Sequence, residues 1–219
     1  MKKQFVTLLF IWLTAHVPVW AQSTPFGQAM TDALQQLDQQ TMKTPVADLV
    51  AVANRFERIA GAEPTEWLPR YYAGLLYVYC GFAGKDAAEK DRFLDKADTY
   101  LAEAQALAPN NDELAVLGAY IAQSRMTVDP MNRWQTYGAA FSENIARAKS
   151  LNPANPRPYV LEGIALMYTP EQYGGGPKTA CPVLASAAQK LDAFQPVSGL
   201  HPSWGRRQMQ PMLAQCGKQ

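Results

Sequence analysis

Residues 97–109, ADTYLAEAQALAP, and residues 141–153, FSENIARAKSLNP, are two settings of one pattern. Ala97, Leu101, Ala104, Leu107 and Pro109 in the first become Phe141, Ile145, Ala148, Leu151 and Pro153 in the second, each 44 residues later. Steps of four and three residues put these small and aliphatic side chains on one helix face. The closing proline stops the helix. Cys181, Ala185, Ala188 and Leu191 form a third copy without that proline.

A second helix shares the period. Gly74, Gly118 and Gly163 lie 44 and 45 residues apart, each followed three positions on by a large side chain, Tyr77, Ile121 or Leu166. Each also follows a proline, Pro64, Pro109 or Pro153. A mid-helix glycine costs about 1 kcal/mol against alanine, so its recurrence needs an offsetting gain, and close approach of a partner helix supplies one. Two helices on one period make an internal repeat. The spacing predicts helices near 26–41, 45–60, 66–82, 89–108, 112–125, 133–151, 157–168, 178–194 and 203–216. Their short connections predict antiparallel neighbours. One helix pair cannot bury both of its faces, whereas stacked pairs can.

These residues resemble the tetratricopeptide repeat family, which pairs a glycine-and-aromatic first helix with a small-residue second helix and a closing proline. Gly74, Tyr77, Ala97, Leu101, Ala104 and Pro109 match it, as do Gly118, Ile121, Ile145, Ala148 and Pro153, and more weakly Gly163, Leu166 and Ala188. The resemblance covers nearly the whole chain beyond residue 21. It implies an all-α, right-handed superhelical solenoid of antiparallel helix pairs, in one domain over 22–219. The units fall near 26–63, 64–108, 109–152 and 153–196, with a terminal helix at 203–216. A standard unit has about 34 residues. The ten or eleven extra residues here are assigned to long hairpins at 82–92 and 125–133. The longer period is also similar to the HEAT and armadillo class.

In the resembling family the first helices line a concave groove. By spacing from the glycines, that face would carry Leu68, Tyr71 and Leu75, then Asp112, then Arg157 and Met167. The paired Lys/Arg and Asn clamp with which some members hold a peptide carboxylate is missing. The resemblance implies a protein or peptide partner and a non-enzymatic scaffold; the alternative is a small-molecule binder using the same groove and the Gly174–Gly176 turn.

The amino terminus sets the compartment. Lys2 and Lys3 precede an apolar run from Phe5 to Thr14, and Val19-Trp20-Ala21 offers a small-x-small cleavage site. That is the layout of a secretory signal peptide over 1–21, directing the chain to the periplasm or the exterior. Without Lys2 and Lys3 the chain has 18 basic and 19 acidic residues. A balance this near neutral gives little attraction to nucleic acid or to an anionic membrane, and no later segment is apolar enough for stable membrane insertion. Three cysteines remain, Cys80, Cys181 and Cys216. Cys181 and Cys216 lie on successive helices, where a bridge is geometrically feasible, and Cys80 stands two repeats away.

Chemistry-bearing residues are sparse. His201 is the one histidine beyond the signal segment, too little for a zinc site or a histidine-based triad. No metal, cofactor or catalytic set is expected. Glu63/Glu66, Asp86/Glu89/Asp91 and Asp112/Glu113 sit at helix starts, where the macrodipole favours acids. The string Tyr173-Gly174-Gly175-Gly176-Pro177-Lys178-Thr179 reads in two ways. Glycine amides with Lys178 at a helix start could form an anion nest, or the glycines could simply turn the chain between two helices.

Overall fold

The computed structural model describes residues 24–41 and 43–217. The signal peptide expected over 1–21 lies outside the described residues. Among those residues the chain is all-helical: α1 (Pro25–Asp38), α2 (Val46–Ala62), α3 (Leu68–Ala83), α4 (Ala87–Leu107), α5 (Asp112–Val128), α6 (Pro130–Leu151), α7 (Arg157–Tyr168), α8 (Pro177–Ala193) and α9 (Arg206–Cys216), with one 3-10 turn at Glu171–Tyr173. None of these helices is long and apolar enough to cross a membrane.

Local chemistry sets the helix starts. The Thr24 side chain accepts from Gly27 N–H, Asp86 from Glu89 N–H, Asn111 from Glu113 and Leu114 N–H, and Asp129 from Asn132 N–H. Each satisfies an amide that a helix start leaves unpaired. Two of these caps correct the expected long hairpins. Asp86 starts α4 within three residues of the end of α3, and Asp129 alone separates α5 from α6, where Pro130 suits the first helical position. The extra length of each repeat therefore lies in the second helices, 21 residues in α4 and 22 in α6.

Packing follows the repeat. α3 packs on α4, α5 on α6 and α7 on α8, while the first helices α3, α5 and α7 meet one another in turn. The mid-helix glycines lie at these contacts: a Cβ on Gly163 would stand 2.6 Å from Leu184 Cδ2 of α8, and one on Gly118 2.8 Å from Asn144 Oδ1 of α6. α3 and α5 are buried on nearly every side. A second cluster joins Val160, Ala180, Leu184 and Ala187 to Met209 and Met212 of α9. A disulfide between Cys181 of α8 and Cys216 of α9 ties that end together, and Cys80 is free and buried.

Candidate functional site

The face formed by the first helices is not open. Beyond α8 the chain runs without helix through residues 194–205 and crosses that face as a strap. Tyr72 Oη donates to the Leu200 carbonyl (2.8 Å), and Trp204 Nε1 donates to Tyr71 Oη (2.7 Å). The Trp204 ring stacks on Tyr120 with centroids 5.5 Å apart, and His201 meets the edge of Trp67. Further on, Gln208 Nε2 donates to Tyr79 Oη and Arg207 Nη1 to the carbonyl of Asp38. The open groove expected from Leu68, Tyr71, Leu75, Asp112, Arg157 and Met167 is thereby corrected. Leu68, Tyr71, Leu75 and Arg157 are buried, and Asp112 and Met167 are half-buried. The physical reason is that Leu200 and Trp204 supply apolar surface from a segment with no helical period.

Beneath the strap lies a polar cluster. Arg157 Nε donates to both carboxylate oxygens of Glu113 (2.7 and 2.9 Å), and its Nη2 donates to Glu113 as well. Asn155 Nδ2 donates to Glu113 and Asp112, and Asn155 Oδ1 accepts from the Arg157 N–H. Phe194 covers the guanidinium at 4.6 Å from the ring centroid. Arg157 Nη1 is buried and has no hydrogen-bond partner among the described residues. Burial raises the Glu113 carboxyl above the usual carboxylate range, and the Arg157 charge opposes that rise. Burial, then the Glu113 charge, also raises the Tyr71 hydroxyl. This cluster joins α5 to α7; Glu113, Asn155 and Arg157 are buried, and Asp112 is half-buried.

The glycine loop acts as a turn, which corrects the anion-nest reading. Its amides are all used by the chain itself: Gly174 N–H donates to the Glu171 carbonyl, Gly175 N–H to Pro170 and Gly176 N–H to Leu166. Gly174 and Gly176 have φ of 83° and 85°, and a Cβ on Gly175 would collide with the Thr169 carbonyl oxygen at 2.1 Å. Lys178 is exposed at the start of α8 and forms no ion pair among the described residues.

His201 is the one histidine among the described residues; its Nδ1 shares a hydrogen bond with Ser198 Oγ (2.8 Å). Burial and the Arg157 charge lower its pKa. No group of three or more His, Cys, Asp or Glu side chains is placed to hold a metal among those residues. The acids Asp91, Asp95 and Asp98 of α4 are engaged by Arg125, and Asp91 also by Arg133.

Large apolar side chains are exposed at Leu107, Leu151 and Val197, and also at the start of α6 and just around the end of α7. Met131 is 85 % exposed, Trp134 60 %, Tyr168 71 % and Tyr173 74 %. Sequence reading did not single out Met131 or Trp134. A signal was available, because both continue the spacing of the buried Phe141, Ile145 and Ala148, at 131, 134, 138, 141, 145 and 148.

No family profile and no curated protein matches the chain. A solved structure does, that of the HusA haemophore from Porphyromonas gingivalis: the two share a TM-score of 0.78 and 33 % sequence identity over 90 % of this chain and 95 % of that one. With a third of its residues identical across almost the full length of both molecules, this chain belongs to the family of the HusA haemophore.

Proposed function

We propose that this protein is an exported ligand-binding protein, without catalytic activity, whose cargo is haem or a related porphyrin. The observation that carries the reading is the relationship to a haemophore over 95 % of that chain. The paucity of catalytic side chains accords with binding rather than turnover: His201 is tied to Ser198, and the acids of α4 are engaged by arginines. A planar apolar ring needs apolar and aromatic surface with a few polar groups to orient it, and the start of α6 and the residues around the end of α7 expose such surface. The alternative of an extended peptide along the first-helix face loses its surface to the strap. The stacked pairs are read as degenerate tetratricopeptide units, and the segment 1–21 as the signal that exports them.

The test is a titration of the mature chain, beginning at Gln22, with haem and separately with iron-free protoporphyrin. The Soret band and tryptophan emission are followed together. Saturable, stoichiometric changes are expected. The iron-free arm separates packing of the ring from ligation of the iron. A linear response to both compounds, equal to that of an unrelated helical protein, would overturn the reading.

A further inference from the structure

The lengths of α6 and α7 leave a step in the structure. α6 has 22 residues and α7 has 12; at about 1.5 Å per residue, α6 is longer by roughly 15 Å. The two run antiparallel from their connection at 152–156. Lys149 Nζ of α6 donates to Glu162 Oε2 of α7 (2.6 Å) and stands 4.5 Å over the Tyr159 ring. Counted from those contacts, the end of α7 at Tyr168 is about level with Phe141.

Phe141 is also where burial of the α6 stripe stops. Phe141, Ile145 and Ala148 are buried; Gly138, Trp134 and Met131 continue the same face beyond the end of α7. At Gly138 the stripe carries no side chain, and a Cβ there would find only Met126 Sδ, at 3.7 Å. The result is a flat place on an apolar face, with Trp134 and Met131 at its outer side. Tyr168 and Tyr173 stand on the chain that leaves α7, and Lys178 opens α8 at the same end. One repeat earlier, the corresponding step is closed by polar bonds, because Arg125 and Arg133 both reach Asp91. On α6, Met131 and Trp134 remain exposed. An uncovered core-type face of this kind marks a binding surface.

We propose that this ledge is the porphyrin seat, an assignment that rests on the porphyrin reading above. The ring lies over Gly138 against Trp134 and Met131, with Tyr168 and Tyr173 on the facing chain. Stacking on aromatic side chains and contact with the methionine sulfur suit a polarisable ring. Lys178, exposed and without an ion-pair partner among the described residues, supplies the positive charge for one of the ring's carboxylates.

Porphyrin affinity of Trp134→Ala, Met131→Ser, Trp134→Phe and Lys178→Glu tests the assignment, with Leu107→Ser at the opposite end of the stack as the control. Far-UV circular dichroism verifies folding, which substitutions at exposed sites leave intact. Trp134→Ala and Met131→Ser are expected to weaken binding at least about tenfold, the loss typical of an anchoring contact. Trp134→Phe should retain most of the affinity, Lys178→Glu should lose several-fold in a salt-dependent manner, and Leu107→Ser should match the wild type. If the wild type binds porphyrin and the two ledge variants stay within about twofold of it, the ledge is wrong and the porphyrin reading stands. If the wild type does not bind, the porphyrin reading itself fails. Sedimentation supplies the remaining outcome: a dimer dispersed by Trp134→Ala with porphyrin affinity unchanged makes the ledge a self-association surface and overturns the proposal.

Discussion

Glu113 and Arg157 stand 44 residues apart, one repeat period, and join the starts of two successive first helices by a buried ion pair. Their side chains are 8 % and 0 % exposed. Asn155, in the turn before α7, donates to the same carboxylate and accepts from the Arg157 backbone. The pair therefore sets the register of one repeat on the next through directional bonds, where apolar packing alone would tolerate sliding.

Removing either charge leaves the other buried and unpaired, so Arg157→Leu or Glu113→Leu should each cost about 3–5 kcal/mol in urea unfolding. The double variant Glu113→Leu/Arg157→Leu should recover a large part of that loss, since two apolar side chains carry no desolvation penalty. Equal losses in the double variant and in the sum of the singles would show that the two residues act independently.

The strap should detach before the helix stack unfolds. Tyr71→Phe removes the acceptor of the Trp204 N–H and Tyr72→Phe the donor to Leu200, each worth about 1 kcal/mol. Amide exchange over residues 194–205 is expected to accelerate in both variants while α3 and α5 remain protected. Uniform acceleration across the chain would mean that strap and stack open as one unit.

The disulfide closes a loop with a sequence separation of 35. Reduction should lower stability by about 4 kcal/mol on the loop-entropy account, chiefly by freeing α9 from α8. Cys80 is buried, and burial pushes its thiol up to about 12. It should resist alkylation in the native protein near neutral pH, because the thiolate is the reactive form. Thiol titration is expected to give no fast-reacting group in the folded chain and one after unfolding without reductant.

Acid should weaken the hairpin end of α4 in a traceable way. Hydrogen bonding from Arg133, against a rise from burial, holds Asp91 below the usual aspartate range, with Arg125 adding to the effect. A carboxylate whose pKa is lowered by folding contributes stability above its unfolded value of about 3.9, and loses it as pH falls through the folded value. Asp91→Asn should therefore be less stable at neutral pH and show a shallower loss below pH of about 4. Melting temperatures of both proteins across that window test the sign.

Much of the helical order was legible in the chain. The prolines, glycines and period-44 positions marked nine helices; α7 was placed at the observed residues, and α8 and α9 within a few positions. The hairpins are shorter than expected: residues 87–92 carry no apolar stripe, and in 130–133 Met131 alone extends the stripe of α6. They are helical because Asp86 and Asp129 cap them.

The disulfide between Cys181 and Cys216 joins the two helices on which sequence reading placed those cysteines. The covering of the first-helix face is different in kind. Residues 194–205 have no period, and their contacts with Tyr71 and Tyr72 span more than a hundred positions, that with Tyr120 more than eighty. Which face such a segment covers depends on where its far end is anchored, and α9 is anchored by tertiary contacts with α7 and α8.

By itself, then, the sequence determined the helices, their pairing and the small residues between them, because periodicity and capping act within a few residues. The tertiary structure decided which apolar residues are covered. Trp134 belongs to the same stripe as Phe141, yet Trp134 is exposed and Phe141 is buried. Tyr71 is buried because a distant strap donates a hydrogen bond to it. Burial is a property of what lies opposite, and local sequence carries no record of the length or path of an opposing segment.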